Sequence, residues 1–224
     1  ERKAKWRRLA RDRRGTGKTA AALCPALKAV GEEGTGQVCY LTARATDEHN
    51  AAQALERMRG QGLRVRALSM TAKEKICPYA FREPAAEGVE GAPPPAWRCD
   101  VLNCPGAIGY FDRLPDALAE MRLRDDWCRD AVAEVAAAHT ICPFEFALSL
   151  CEEADMVIGD YNYAFDPGAR IRRIFQWTTN VSLLVDEAHN LPDRARDMLS
   201  GGLDTRELRE TRRVVSKIAG RREP

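Results

Sequence analysis

The apolar run Val181–Val185, followed directly by Asp186-Glu187-Ala188-His189, constrains the fold more than any other feature of this sequence. A short apolar run that ends in acidic residues is typical of a buried parallel strand whose carboxyl end carries chemistry. Where such a strand holds a magnesium ion, a phosphate-binding loop precedes it in the chain. The motif therefore predicts an α/β sheet with a phosphate loop upstream.

A glycine-rich loop lies upstream as expected, at Gly15-Thr16-Gly17-Lys18-Thr19. The N–H groups of such a loop face phosphate oxygens, its lysine reaches the β and γ phosphates, and its hydroxyl binds the metal ion. Asp12 stands where the full pattern has its first glycine, so the loop alone is a weak signal. The two motifs in this order predict ATP binding.

These motifs assign a role to each polar residue. Lys18 is expected to neutralise phosphate charge, while Thr19 and Asp186 hold Mg²⁺. Glu187 is expected to orient or deprotonate the attacking water. His189 is expected to couple the nucleotide site to a nucleic-acid site, and a histidine that is merely packed is the alternative. The reaction predicted from these residues is ATP hydrolysis.

Helical and strand patterns alternate in the two parts of the chain that carry the motifs. Helices are predicted over 18–30, bent at Pro25, and over 46–59, with acidic residues in the first turn. Strands are predicted at 37–42, 63–69, 155–159 and 181–185. The alternation predicts an α/β fold built on one parallel sheet.

The alternation stops between about residues 71 and 144, where helical segments at 114–123 and 127–139 replace it. Because the alternation resumes afterwards, this segment is predicted to be a mainly helical subdomain inserted into a single sheet. A further charged helix is predicted from about residue 204, with Glu207 placed for a capping box.

The insert carries cysteines suited to metal binding. Without a secretory signal, a disulfide framework is not expected. Four thiolates are enough for a [4Fe-4S] cluster, whereas structural zinc usually takes two close pairs of ligands. Because the insert offers one close pair and two separated cysteines, the cluster is favoured over zinc. The predicted ligands are Cys77, Cys99, Cys104 and Cys142, with Cys128 as a competitor, while Cys24, Cys39 and Cys151 are expected to be buried hydrophobic residues.

Aromatic and basic residues near two strand ends are candidates for binding a nucleic-acid strand. Tyr161 and Tyr163 follow the predicted strand 155–159 and are suited to stacking on bases. Packing of these rings between the insert and the sheet is the alternative. Thr42 and Arg44 are expected to contact the phosphate backbone, unless they belong to an ordinary loop.

Net charge and hydropathy limit the classes of protein to which this sequence can belong. The formal net charge is only +2, so any affinity for DNA must come from local patches and not from a generally basic surface. No run approaches the roughly 18 apolar residues that a membrane span needs, and no signal peptide opens the chain. We therefore expect a soluble, cytoplasmic, monomeric protein without a membrane partner.

The motifs and their order resemble the iron-sulfur helicases of superfamily two, the XPD/DinG type, and most closely the bacterial and archaeal members. The matching stretches are 15–19, 40–44, 73–77, 99–105, 142–145, 160–163 and 186–189. The resemblance implies a RecA-like motor domain with a [4Fe-4S] insert, ATP and Mg²⁺ as ligands, and a nucleoid-associated setting. It also implies 5′-to-3′ unwinding of DNA, with single-stranded and forked DNA as partners, in DNA repair.

The resemblance also divides the chain. Residues 1–14 form an atypical basic segment, 15–70 and 145–200 an incomplete first motor domain, 71–144 the cluster insert, and 201–224 the start of an arch domain. The second motor domain is missing, so we expect weak ATP binding and essentially no unwinding by this N-terminal piece alone. Two other functions stay open: a non-catalytic nucleic-acid-binding module with a structural zinc or iron-sulfur site, and a P-loop ATPase acting on protein or RNA.

Overall fold

A computed structural model describes residues 17–32, 34–79, 81–82, 97–124, 126–172, 180–201 and 205–219. The basic segment 1–14 and the loop residues Gly15 and Thr16 lie outside the described residues. The helices are α1 (Lys18–Gly31), α2 (Ala45–Arg59), α3 (Lys73–Ile76), α4 (Tyr110–Arg122), α5 (Arg129–Ala138), α6 (Pro143–Leu150), α7 (Asn162–Phe165), α8 (Leu191–Met198) and α9 (Thr205–Ala219). The strands are β1 (Gln37–Thr42), β2 (Ala67–Ser69), β3 (Phe81–Arg82), β4 (Trp97–Arg98), β5 (Met156–Asp160) and β6 (Val181–Val185).

Four of these strands form one parallel sheet in the order β2-β5-β1-β6. Leu41 of β1 lies opposite Gly159 of β5 on one side and Val185 of β6 on the other. The N–H of Asp186 then donates to the Leu41 carbonyl at 2.9 Å. The carboxyl ends of these three strands therefore meet at one edge, and the predicted α/β class with a parallel sheet is confirmed.

Both faces of the sheet are buried, as a parallel sheet requires. Val38 and Tyr40 of β1 are almost fully buried and pack with residues of α1 and α2. Cys39 and Leu41, which alternate with them along the strand, belong to a core that includes α4 and α5 of the insert and α6, which directly follows it. The insert therefore supplies the second helical layer of the sheet, in addition to carrying its cysteines.

Trp127 joins the insert to the sheet. Its side chain is fully buried, and the indole N–H donates to the carbonyls of Met121 and Arg124, both at 3.1 Å. The N–H of Ser69 in β2 donates to the Trp127 carbonyl at 3.3 Å, and the Arg66 guanidinium lies 5.8 Å from the ring centroid. One hydrophobic core therefore runs through the insert helices and this face of the sheet.

Strand β2 is shorter than the predicted strand 63–69. The N–H of Arg66 donates to Asp155 Oδ2 at 2.8 Å, and its guanidinium lies 3.3 Å from Oδ1. The Arg66 N–H therefore bonds a side chain and not a backbone carbonyl of β5, and regular pairing begins at Ala67, which lies opposite Met156. Within the insert, β3 and β4 form a short antiparallel pair that the sequence pattern does not predict.

The predicted helices of the insert are confirmed as α4 and α5, with ends that differ by a few residues. Helix α9 begins close to its predicted start, although the Glu207 side chain lies outside the described residues. Apolar side chains of α9 are exposed, among them Leu208, Val214 and Val215. Among the described helices, no single one is long and apolar enough to cross a membrane; α5 and α6 pass that test only together, and they meet at 117°.

The cysteines predicted to be buried behave in two ways. Cys39 and Cys151 are buried as predicted, and the Cys151 thiol donates to the Met70 sulfur at 3.5 Å. The prediction for Cys24 was wrong, because this residue is exposed. Its neighbour Leu23 faces the sheet, and consecutive residues of a helix point about 100° apart. Cys24 is therefore turned towards solvent.

Gly159 in β5 packs directly against the ring of Tyr163. A Cβ atom at this position would lie 2.7 Å from Tyr163 Cδ2 and 3.1 Å from Cε2. We therefore expect Gly159→Ala to lower the free energy of unfolding by about 1–3 kcal/mol, measured by urea denaturation. Gly31→Ala is the matched control, since nothing lies within 4 Å of the added Cβ. Equal stability of the two variants would contradict the prediction.

Candidate functional site

A cavity of about 570 Å³ lies at the carboxyl edge of the sheet. The start of α1, one side of α2 and the turn that follows β6 bound it. Ligands of open α/β sheets bind at this edge. The predicted site residues that line the cavity are Gly17, Thr19, Arg44, Asp186, Glu187 and His189. The cavity therefore brings the two sequence motifs together.

The loop side of the cavity begins at Gly17, whose φ of 74° lies in the left-handed region that favours glycine. Helix α1 starts at the next residue, so its free N–H groups and the positive end of its dipole border the cavity. Thr19 is half-buried in the first turn. Such a helix start binds anions well. Gly15, Thr16 and the Lys18 side chain are outside the described residues, so their phosphate contacts stay predictions.

Hydrogen bonds hold both the carboxylate and the backbone carbonyl of Asp186. The Tyr40 hydroxyl donates to Asp186 Oδ2 at 2.7 Å, and the N–H of Glu187 donates to Oδ1 at 2.9 Å. The Tyr161 hydroxyl donates to the Asp186 backbone carbonyl. The carboxylate is therefore fixed in one orientation at the wall of the cavity.

Tyr40 also reaches the loop side of the cavity. The Thr19 hydroxyl lies near the Tyr40 oxygen and acts to lower the pKa of the phenol, so Tyr40 stands between the predicted magnesium ligands of the two motifs. Burial, and then the hydrogen bond and charge of Asp186, raise the pKa of Tyr40, which keeps the phenol protonated as a donor. Hydroxyl and carboxylate oxygens are ligands that suit Mg²⁺. The residues on both sides of Tyr40 therefore fit a magnesium ion.

Glu187 and His189 lie at the open side of the cavity. Glu187 has a φ of 46°, which is uncommon for a residue with a side chain, and its Oε2 lies 3.2 Å from His189 Nδ1. Both side chains are exposed. The Glu187 carboxylate is accessible to a water molecule, as its predicted role requires. Coupling through His189 stays a prediction.

Helix α2 contributes cavity residues that the sequence motifs missed, namely Asp47, Asn50, Gln53 and Arg57. They recur every three or four residues, which is the spacing of one helix face, and this period is the sequence signal that identifies them. The pKa of Asp47 is raised, first by burial and next by the Asp186 charge, and the Arg44 guanidinium acts in the opposite direction. The wall of the cavity therefore favours a cation.

Two of the residues predicted to bind DNA are buried. Thr42 is completely buried, and its hydroxyl donates to the Arg44 carbonyl at 3.2 Å. Tyr161 is also completely buried, with its hydroxyl on the Asp186 carbonyl. The prediction that these two residues bind DNA was therefore wrong, because their side chains are buried and make hydrogen bonds within the fold. DNA contacts by Arg44, which is exposed, and by Tyr163, which is half-buried, stay predictions.

The cysteines predicted to bind a cluster lie in one region of the insert. Cys142 precedes α6, and its N–H donates at 2.8 Å to a carbonyl in the turn that follows Cys104. Lys73 at the start of α3 lies near Cys99 and Cys142. Cys77 follows the same helix directly. All four are free thiols.

The cysteines do not form a closed ligand set. Within the described residues, no group of three or more His, Cys, Asp or Glu side chains lies close enough to hold a metal ion. Burial raises the pKa of Cys142, although the N–H groups of Glu145 and Phe144 act in the opposite direction. Burial alone would lower the pKa of Lys73, but the hydrogen bond to Cys99 and neighbouring negative charges raise it. The Lys73 ammonium group therefore lies near the thiols of Cys99 and Cys142.

Comparison with known proteins places this geometry in a family. The DEAD_2 family model matches residues 41–208. The chain is 24% identical over 109 residues to the general transcription and DNA repair factor IIH helicase subunit XPD of Dictyostelium discoideum, across 49% of this chain and 14% of that protein. A solved structure described as XPD helicase superposes with a TM-score of 0.51 at 18% identity, over 84% of this chain and 30% of that chain.

The chain thus spans less than a third of the length of either relative. The family model covers most of the chain. The resemblance to XPD-type helicases is confirmed, and the chain belongs to the DEAD_2 family.

Proposed function

We propose that this chain is the N-terminal part of an ATP-dependent 5′-to-3′ DNA helicase that unwinds duplex DNA in repair. Membership of the DEAD_2 family and the similarity to a protein named as a helicase subunit support the proposal. The chain would contribute the first motor domain, and single-stranded and forked DNA would be its partners. The remainder of the full-length protein would supply the second motor domain and the arch.

The observation that carries the proposal is the contact of Thr19 and Asp186 with one hydroxyl, that of Tyr40, beside a cavity at the sheet edge. ATP would place its phosphates at the start of α1, with Lys18 against the β and γ phosphates. Magnesium supplies positive charge against the phosphates when it is bound. Thr19 and Asp186 would hold that ion. Glu187 would orient the attacking water and accept its proton.

We also propose that Cys77, Cys99, Cys104 and Cys142 hold a [4Fe-4S] cluster. Thiolates are the ligands that such clusters require, and two of the four cysteines, Cys99 and Cys142, lie near Lys73. The Lys73 charge acts to lower the pKa of Cys142, against the larger effect of burial. A bound cluster would cross-link α3, the turn after Cys104 and the start of α6. It would thereby brace the part of the insert that we propose splits the duplex.

Arg44 and Tyr163 are the residues that we propose for contact with single-stranded DNA. A guanidinium on a phosphate and a ring beneath a base bind a strand without reading its sequence. Arg44 is exposed beside the cavity, where a DNA contact would lie close to the nucleotide. The resemblance to bacterial and archaeal helicases supports a cytoplasmic, nucleoid-associated and monomeric protein.

Nucleotide binding by the full-length protein tests the proposal. MgATP at about 100 times its Kd is expected to stabilise the protein by about 2.7 kcal/mol, measured as a rise in Tm. Lys18→Ala is expected to remove most of this rise. Lys28→Ala is the control, because Lys28 is an exposed lysine of the same helix, and it should keep the full rise.

The outcomes separate the candidate functions. A rise in Tm that Lys18→Ala leaves unchanged would contradict the proposed nucleotide loop. Nucleotide binding without DNA-stimulated hydrolysis would favour the non-catalytic nucleic-acid-binding module. Hydrolysis stimulated by RNA and not by single-stranded DNA would favour an RNA-dependent ATPase.

A further inference from the structure

Tyr40 is a buried polar residue to which the sequence motifs assign no role. It is 2% exposed, and in the sheet it lies between Ile158 of β5 and Leu184 of β6. An apolar ring would fill this position equally well. The Tyr40 hydroxyl nevertheless donates to Asp186 Oδ2 at 2.7 Å and lies near the Thr19 hydroxyl. These two neighbours belong to the two sequence motifs, and Tyr40 stands between them.

We propose that Tyr40 is a positioning residue for magnesium, whose hydroxyl holds the Thr19 and Asp186 oxygens at the spacing that the ion needs. The inference rests on the proposed function, because it concerns the same nucleotide site. Tyr40 does not touch the reacting phosphate. It acts through the two side chains that it orients.

The rigidity of Tyr40 explains why its hydroxyl suits this task. The ring is fixed by the sheet and by α1 and α2, so the hydroxyl has little freedom to move. Thr19 and Asp186 are side chains that would otherwise lose rotational freedom when the ion binds, which weakens binding. The Glu187 N–H also holds the Asp186 carboxylate, but it is the backbone of the next residue in the same turn. Tyr40 is the contact that ties it to Thr19.

The test is the magnesium dependence of nucleotide binding by the full-length protein carrying Tyr40→Phe. A fluorescent ADP analogue is titrated at fixed Mg²⁺ concentrations and again in EDTA. We expect the apparent Kd for Mg²⁺ to rise on the order of tenfold, as it does when a residue that supports a metal ligand is removed. Binding of the analogue in EDTA is expected to stay unchanged, because Tyr40 does not contact the nucleotide.

Tyr110→Phe is the matched control. It also removes one buried phenol, which hydrogen-bonds Ser149 at 3.1 Å inside the insert, and it should leave the magnesium dependence unchanged. A purely structural role of Tyr40 predicts that both variants lose stability and neither shifts the Kd for Mg²⁺. That result would overturn the inference.

A double variant sharpens the test. In an Asp186→Asn background, Tyr40→Phe should add little to the loss of magnesium affinity, because residues that act through one contact are not additive. A full additive loss would overturn the inference while leaving the proposed function intact. If the wild-type protein binds the analogue at no Mg²⁺ concentration, the proposed function fails and the inference fails with it.

Discussion

Full-length protein carrying Glu187→Gln is expected to hydrolyse ATP about a hundredfold to ten-thousandfold more slowly than the wild type, because it lacks the proposed base. Glu187 is the exposed carboxylate of the cavity, next to an Asp186 whose own oxygens are held by Tyr40 and the backbone. Glutamine keeps the size of the side chain and removes its charge. Steady-state hydrolysis with saturating single-stranded DNA measures the loss.

Nucleotide binding distinguishes a catalytic loss from a folding defect. The Glu187→Gln variant should still bind MgATP, since Thr19 and Asp186 are unchanged. Glu152→Gln is the control, because Glu152 is exposed at the end of α6, away from the cavity, and it should retain wild-type hydrolysis. If Glu187→Gln hydrolyses ATP within a few-fold of the wild type, another group must orient the water.

Strands β1 and β6 could be predicted from the sequence because each is a short, mainly apolar run. Every side chain of β1 is buried, so the run carries one unambiguous signal, and β1 and β6 have their predicted bounds. The acidic residues after β6 could also be placed, because they follow the strand directly. Because β6 pairs in parallel with β1, Asp186 lies at the edge of the sheet where α1 begins.

Other elements depend on partners that are distant in sequence. The start of β2 is set by the pairing of Arg66 with Asp155, two residues that no local pattern connects. The same limitation explains why the prediction for Tyr161 was wrong. Its hydroxyl donates to the carbonyl of Asp186, a residue that is distant in sequence. A tyrosine that stacks on a base and a tyrosine that packs in a core have the same sequence signature.

The role of Tyr40 could be recognised only once the direction of its side chain was known. Alternation along β1 places Tyr40 and Val38 on one face and Cys39 and Leu41 on the other. The sequence reveals this alternation, but it does not reveal which face meets α1. That face decides whether the phenol reaches Thr19 or enters the insert core.

The parts of the insert are expected to depend on the cluster to different degrees, because some of them share a hydrophobic core with the sheet. Helices α5 and α6 are packed on the sheet through Val132, Phe146 and Leu150, which are fully buried. This part should stay folded without a cluster, since apolar burial holds it in place. The cysteine region around α3 reaches this core through Ile76 and Cys142, whereas Cys99 is exposed, and it would depend more strongly on the proposed cluster.

Cys104→Ser is therefore expected to lose iron and to loosen the cysteine-bearing segments within residues 77–142, while α5 stays packed on the sheet. Metal sites of this kind contribute on the order of 10 kcal/mol to the folding of the segments that they join, so the expected effect is large. Iron, sulfide and zinc analysis after anaerobic purification measures the first effect. Limited proteolysis measures the second, with cleavage expected near the cysteines and not within α5 or α6.

Cys128→Ser is the matched control, because Cys128 is also a partly exposed free thiol of the insert. It should keep its iron and its protease resistance. Full iron retention in Cys104→Ser, with unchanged protease resistance, would contradict the proposed ligand set, and iron loss from Cys128→Ser alone would point to the competing ligand. A colourless wild-type protein that contains zinc would instead favour a structural zinc site, since the same thiolates bind either metal.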